Sequence, residues 1–180
     1  MNKKPRLFLQ LIQSLPDSDD HLTIEMYAQN QYLKKQGYLT KLELLDILRW
    51  KSPRPLKHYE SNNEKMVREI TKLAFSAKND MLKLHILTAL NGVNYPAASA
   101  ILMFYDPKKY PVLDIRVWKQ LYAAKLVDSN PRGQNFSLQQ CEQFFTIIRQ
   151  LSQELNLTAR QVEKRLFDYD RTTRKGRLYR

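Results

Sequence analysis

The chain has 180 residues, with 30 Lys+Arg against 18 Asp+Glu and a formal net charge of +12. That length suits one domain with a sizeable core, and the basic excess favours an anionic partner, nucleic acid before a membrane surface. Cys141, the single cysteine, excludes an intramolecular disulfide and a Cys-ligated iron–sulfur cluster and fits a cytoplasmic setting, while no apolar run approaches the ~20 residues that span a bilayer.

Residues 1–21 are expected to be an N-terminal arm. Its start, Met1 to Arg6, is basic, but Leu7 to Leu15 is interrupted by Gln10, Gln13 and Ser14, so a secretory signal is not expected. Helices are predicted over 22–36, ending at Gly37, and over 41–51. Ser52-Pro53-Arg54-Pro55 then makes a stiff basic connector, since two prolines forbid helix there. Further helices are predicted over 62–77, 80–90, 95–105, 115–126, 138–155 and 159–170. Capping-box patterns begin at Thr40, Ser61, Ser137 and Thr158, each with Glu or Gln three residues on and an apolar stripe behind it. After Ser61 the stripe is Val67, Ile70, Leu73, Ala74 and Ala77; after Ser137 it is Leu138, Cys141, Phe145, Ile148, Leu151 and Leu155; after Thr158 it is Val162, Leu166 and Tyr169. Residues 128–133 read as a surface loop, and no segment alternates with period two, so strands are not expected. The expected fold is all-α, a single-domain helical bundle over 22–170. Residues 171–180 form a basic tail without an acid, either frayed or lying on phosphates with Tyr179 stacked on an unpaired base.

Between Leu90 and Tyr95 two apolar helices must reverse within a few residues. Gly92 takes a positive φ without strain, Asn94 suits an N-cap, and Pro96 fits the first helical turn. Such a turn presents backbone N–H groups beside the positive end of a helix dipole, a ready site for a phosphate oxygen; it also serves as an ordinary helix–helix turn. Ala97, Ala98, Ser99 and Ala100 are small enough for close helix packing. Asp114 follows in a proline-stiffened loop at a helix start, where a carboxylate caps the helix.

The run Leu90-Asn91-Gly92-Val93-Asn94-Tyr95-Pro96-Ala97-Ala98, with Tyr110-Pro111-Val112-Leu113-Asp114 downstream, resembles the helix-hairpin-helix DNA glycosylase superfamily. Its hairpin usually reads leucine, proline, glycine, valine, glycine, two variable positions and alanine, and a proline-valine-aspartate precedes a later helix. Here Asn91 and Asn94 stand where proline and glycine are usual, and one extra residue separates Pro111 from Asp114. The resemblance is close over 83–118 and implies a glycosylase-like, DNA-binding fold. It further implies that Asp114 is catalytic in hydrolysing the N-glycosidic bond of a modified or foreign base, an activity of DNA repair by base excision. Pro96 occupies the position of the lysine that gives some members a lyase step, so a Schiff base cannot form there and a monofunctional enzyme is implied. The family's hairpin can also hold a monovalent cation on backbone carbonyls; no other cofactor is expected.

Gly92, Val93, Asn94 and Tyr95 are assigned to DNA through the hairpin. Lys51, Arg54 and Lys57 around the proline connector, Lys108 and Lys109 between hairpin and aspartate, and Arg116 after it supply further phosphate contacts. Trp50, Tyr95, Tyr105, Tyr110 and Trp118 are the aromatic candidates for a flipped-base pocket. His21, His58 and His85 lack metal-ligand spacing, and no catalytic metal is expected. The partner is DNA, no membrane is involved, and a monomer is the expected state. Two alternatives stay open: a non-catalytic helix-hairpin-helix DNA-binding module, and a protein for an anionic partner unrelated to DNA.

Overall fold

Most helix starts among the described residues are set by side-chain caps. Thr40, Ser137 and Thr158 each accept from the N3 backbone N–H while Glu43, Gln140 and Gln161 reach back to the cap, as the sequence predicts. The fourth box does not form: Asn63 caps instead, accepting from Met66 N at 2.8 Å, and Ser61 ends the preceding helix. Its neighbour Asn62 bonds across the fold to Asn91.

The computed structural model describes residues 3–17 and 19–178, and among them the fold is all helical: α1 (Lys3–Ser14), α2 (His21–Asn30), α3 (Leu33–Gln36), α4 (Lys41–Lys51), α5 (Leu56–Glu60), α6 (Glu64–Ser76), α7 (Asp80–Leu87), α8 (Tyr95–Tyr105), α9 (Ile115–Ala123), α10 (Leu138–Leu155) and α11 (Ala159–Thr173). None of these helices is long and apolar enough to cross a membrane. The helices cluster into two compact units, one of residues 1–20 with 108–180 (unit 1) and one of residues 21–107 (unit 2).

Unit 2 is organised on α8. Its residues Ala97 to Phe104 are all buried, as expected of a helix that is apolar all round, and α2, α4 and α7 pack on it. Trp50 meets Phe104 edge-on at 4.9 Å and donates Nε1–H to Thr23 Oγ1 at 2.9 Å. Tyr105 stacks on Phe75 at 4.3 Å. Lys83 is buried, yet its ammonium donates to the Phe75 carbonyl at 2.6 Å and the Ala74 carbonyl at 3.3 Å, so a cation caps the negative end of α6. The helix predicted over 22–36 breaks into α2 and α3. Asn30 bonds its amide back to the Met26 carbonyl at 2.7 Å, a side-chain competitor for the helical ladder. The stripe predicted on α6 is also rotated. Thr71 is buried, accepting from Leu39 N at 2.8 Å and donating to the Val67 carbonyl, while Leu73 is 59% exposed.

Unit 1 joins α1 to α9, α10 and α11. Residues 3–14, expected as part of an arm, are helical because the glutamines that interrupt the apolar run form the polar side of an amphipathic helix. Ile12 is fully buried while Gln10 and Gln13 are exposed. The following segment is tied to α11 by ion pairs. Arg160, itself buried, reaches Asp19 at 2.7 Å and Glu163, and Arg165 reaches Asp17 at 3.0 Å and the Ile12 carbonyl at 3.0 Å. Trp118 lies at the centre, edge-on to Phe136 at 5.1 Å, with Nε1–H donated to the Asn130 carbonyl at 2.9 Å. Helix α11 runs past the predicted end because Asp170, fully buried, holds Arg174 and accepts from Gln120 at 2.7 Å and Arg116 at 3.1 Å. The basic tail is thus partly docked, with the Leu178 carbonyl accepting from Lys119 at 2.7 Å. Tyr179 lies outside the described residues.

Candidate nucleic-acid interface

The hairpin lies in unit 2, between α7 and α8. Gly92 has φ +81°, and a Cβ built on it would stand 2.8 Å from His58 Cβ and 3.0 Å from Tyr59 Cδ1. Glycine is required there twice over, by backbone conformation and by close approach to α5. Asn62 seats the turn from below. Its Oδ1 accepts from Asn91 N at 2.8 Å; its Nδ2 donates to the Asn91 carbonyl at 3.1 Å and to the Tyr59 carbonyl at 2.9 Å, with the side chain buried. One amide thereby satisfies groups from two segments and fixes the register of the turn.

Asn94 caps α8, accepting from Ala97 N at 3.1 Å. Val93 N–H is taken by the Leu90 carbonyl at 3.1 Å, and the Val93 side chain is buried. Among the described residues, the N–H groups of Gly92 and Asn94 have no acceptor, and both residues are exposed. Two N–H donors without an acceptor, both on exposed residues, therefore lie just ahead of the N-terminus of an 11-residue helix. That combination attracts an anionic oxygen through both hydrogen bonding and the helix dipole. Tyr95, the first residue of α8, is half-buried and shares a 3.0 Å hydrogen bond with His85 Nδ1. Exposed Lys57 and His58 lie on α5, the helix against which Gly92 rests.

Lys51 is half-buried at the end of α4 and Arg54 is exposed in the proline connector that leads to α5. Of the hairpin carbonyls, Leu90 O accepts from Val93 N and Asn91 O accepts from Asn62 Nδ2. No group of three or more His, Cys, Asp or Glu suited to a metal occurs among the described residues.

Asp114 belongs to unit 1. It follows the buried, non-helical segment 110–113, is half-buried itself, and caps α9 by accepting from Arg116 N at 2.9 Å. The carboxylate is thus held at the positive end of α9. Arg116, assigned to DNA from the sequence, has a structural partner in Asp170 and lies 5.7 Å from the centroid of the Phe167 ring. Lys108 and Lys109 are exposed at the mouth of a groove in unit 1, where Arg149 joins them. Of the aromatic candidates, Tyr110 and Trp118 are core residues, and Trp50 and Tyr105 pack on Phe104 and Phe75. Only Tyr95 stands at the hairpin.

Sequence reasoning missed Asn62 and Arg149. Asn62 sits inside an apparent capping box, and its bond to Asn91 spans 29 residues; only the fold reveals it. Arg149 lies on an amphipathic helix where a basic residue reads as ordinary solvated surface. No family model matches the chain, and no curated protein or solved structure matches it.

Proposed function

We propose that this protein binds DNA through the hairpin of unit 2, with the Gly92 and Asn94 N–H groups donating to a backbone phosphate. The observation that carries the reading is the pair of N–H donors without an acceptor among the described residues, on exposed residues of a turn locked by Asn62, directly before the N-terminus of α8. The net charge of +12 is consistent with a polyanionic partner. Such a contact positions the protein without reading sequence.

The same proposal assigns Asp114 as the catalytic carboxylate of a monofunctional DNA glycosylase. The resemblance of the segment from Leu90 to Asp114 supports this assignment, as does a carboxylate fixed by its hydrogen bond from Arg116 N. In the reaction the bond between C1′ and the base nitrogen breaks, and positive charge develops on the sugar opposite the carboxylate. Water adds at C1′ with loss of a proton, and the base leaves protonated. Pro96, with no amine, leaves the backbone uncut.

Anisotropy of labelled duplex DNA tests the binding. Asn94→Asp keeps a good N-cap but sets a negative charge beside the phosphate, so affinity should fall by about tenfold or more, like-charge contacts costing several kcal/mol. Parental affinity in that variant refutes the hairpin assignment. Asp114→Asn retains binding and loses base release from a panel of lesion duplexes; release at the parental rate removes Asp114 from the chemistry. Absence of release by the parental protein across the panel leaves the non-catalytic DNA-binding module.

A further inference from the structure

Unit 1 carries a groove of about 540 Å³ lined by Lys108, Lys109, Arg149, Gln153 and Asn156 among others, with no acidic residue in its lining. We propose that this groove binds the phosphodiester backbone of a DNA strand, a second contact that rests on the DNA-binding reading and adds Arg149 and Gln153 to it.

The groove is built. The main chain that carries the two lysines is pinned from both sides: the Lys108 carbonyl accepts from Ala159 N at 3.2 Å and the Lys109 carbonyl from Arg149 Nε at 2.9 Å. Both lysine side chains are exposed and project from a fixed backbone. The Arg149 guanidinium lies 5.3 Å from the Tyr110 ring centroid and 5.2 Å from that of Phe145, and the Lys109 ammonium lies 5.2 Å from the same Tyr110 ring. Aromatic faces stabilise each cation, and both cations line the same groove. Guanidinium and ammonium groups are the usual phosphate partners, and the Gln153 amide supplies a further neutral donor.

The groove lies by the C-terminal end of α10, where free carbonyls would repel an anion. Here the turn takes up two of them. Asn156 is left-handed, its N–H bonds the Gln153 carbonyl at 3.3 Å, and Leu157 N–H bonds the Ser152 carbonyl at 2.9 Å. The size and open form of the groove suit an extended strand backbone, and its donors read charge rather than sequence.

The test is the salt dependence of duplex binding by the full chain, measured for the parent and four variants. Each phosphate that the protein ceases to neutralise lowers the slope of log affinity against log salt by about 0.9. Lys108→Ala with Lys109→Ala should lower the slope by about one to two and weaken binding about tenfold at moderate salt. Gln153→Glu, which adds a carboxylate at an exposed position, should weaken binding several-fold. Replacing exposed Lys65 and Lys72 of α6 by alanine removes the same charge elsewhere and should leave the slope near the parental value. A slope unchanged by the Lys108/Lys109 pair, or lowered equally by the α6 pair, overturns the groove. Asn94→Asp separates the two claims: if it binds as the parent while the groove variants weaken, the hairpin fails and the groove stands. If only Asn94→Asp weakens binding, the groove fails and the hairpin stands. No salt-dependent binding by the parent overturns both.

Discussion

Replacing Gly92 with alanine imposes two separable costs, and Gly37 measures one of them. Gly37 has φ +75° with nothing within 4 Å of an added Cβ, whereas Gly92 has φ +81° and a Cβ that would stand 2.8 Å from His58 Cβ. The left-handed backbone costs an alanine about 1–2 kcal/mol at either site. The clash arises only at Gly92. A Cβ moves only with its backbone, and Tyr59, the other neighbour, is 1% exposed, so α5 or the hairpin must shift, an overpacking cost of about 1–3 kcal/mol. Gly37→Ala should therefore destabilise by about 1–2 kcal/mol and Gly92→Ala by about 2–5 kcal/mol. Both glycines lie in unit 2, so urea unfolding followed by tryptophan fluorescence, with Trp50 reporting that unit, compares them directly. Equal destabilisation within about 0.5 kcal/mol would refute the close approach of hairpin and α5, since only the shared backbone cost would remain.

Asp170 should make the protein acid-sensitive. Burial pushes its carboxyl up, but hydrogen bonds from Arg174, Gln120 and Arg116 outweigh burial and hold it below the usual carboxylate range. A depressed carboxyl contributes stability that is complete above the unfolded value near ~3.9 and is lost as pH falls through the folded value. Asp170→Asn should destabilise by about 3 kcal/mol at neutral pH, leaving two arginines without their anion, and should flatten the fall in urea midpoint below about pH 5; a parental acid profile in the variant rules this out. Burial pushes the Cys141 thiol up to about 12, so a thiol-specific disulfide reagent at pH 8 should label it only after urea unfolding, and prompt labelling of the native protein would contradict its burial.

The all-α class was legible because caps and apolar periods are local. Thr40, Ser137 and Thr158 each announce a helix within four residues, and the Cys141–Phe145–Ile148–Leu151 stripe is buried as its spacing predicts. The turn between α7 and α8 was legible for the same reason, since Gly92 and Asn94 act on their own backbone. What sequence missed acts over distance. Leu73 continues a perfect stripe yet faces outward, because Thr71 is held inward by Leu39, 32 residues away. Arg116 reads as a free basic residue after Asp114 until Asp170, 54 residues later, accepts from it. Gln10 and Gln13 look like breaks in an apolar run; helix periodicity makes them the outward edge of α1.

Unit 1 is assembled from the two ends of the described chain, with unit 2 produced between them. During synthesis α1 emerges early, but the helices it packs on, α10 and α11, begin only at Leu138 and Ala159. A 12-residue helix without its packing partners is marginal in water, so the packing of α1 waits on α10 and α11. Residues 21–107 are contiguous and meet their own partners first, so unit 2 is the one that can complete its core while the ribosome is still at work. The hairpin would then be formed before Asp114 has a folded unit to belong to. Vectorial synthesis thus imposes an order of assembly: the proposed grip before the proposed chemistry.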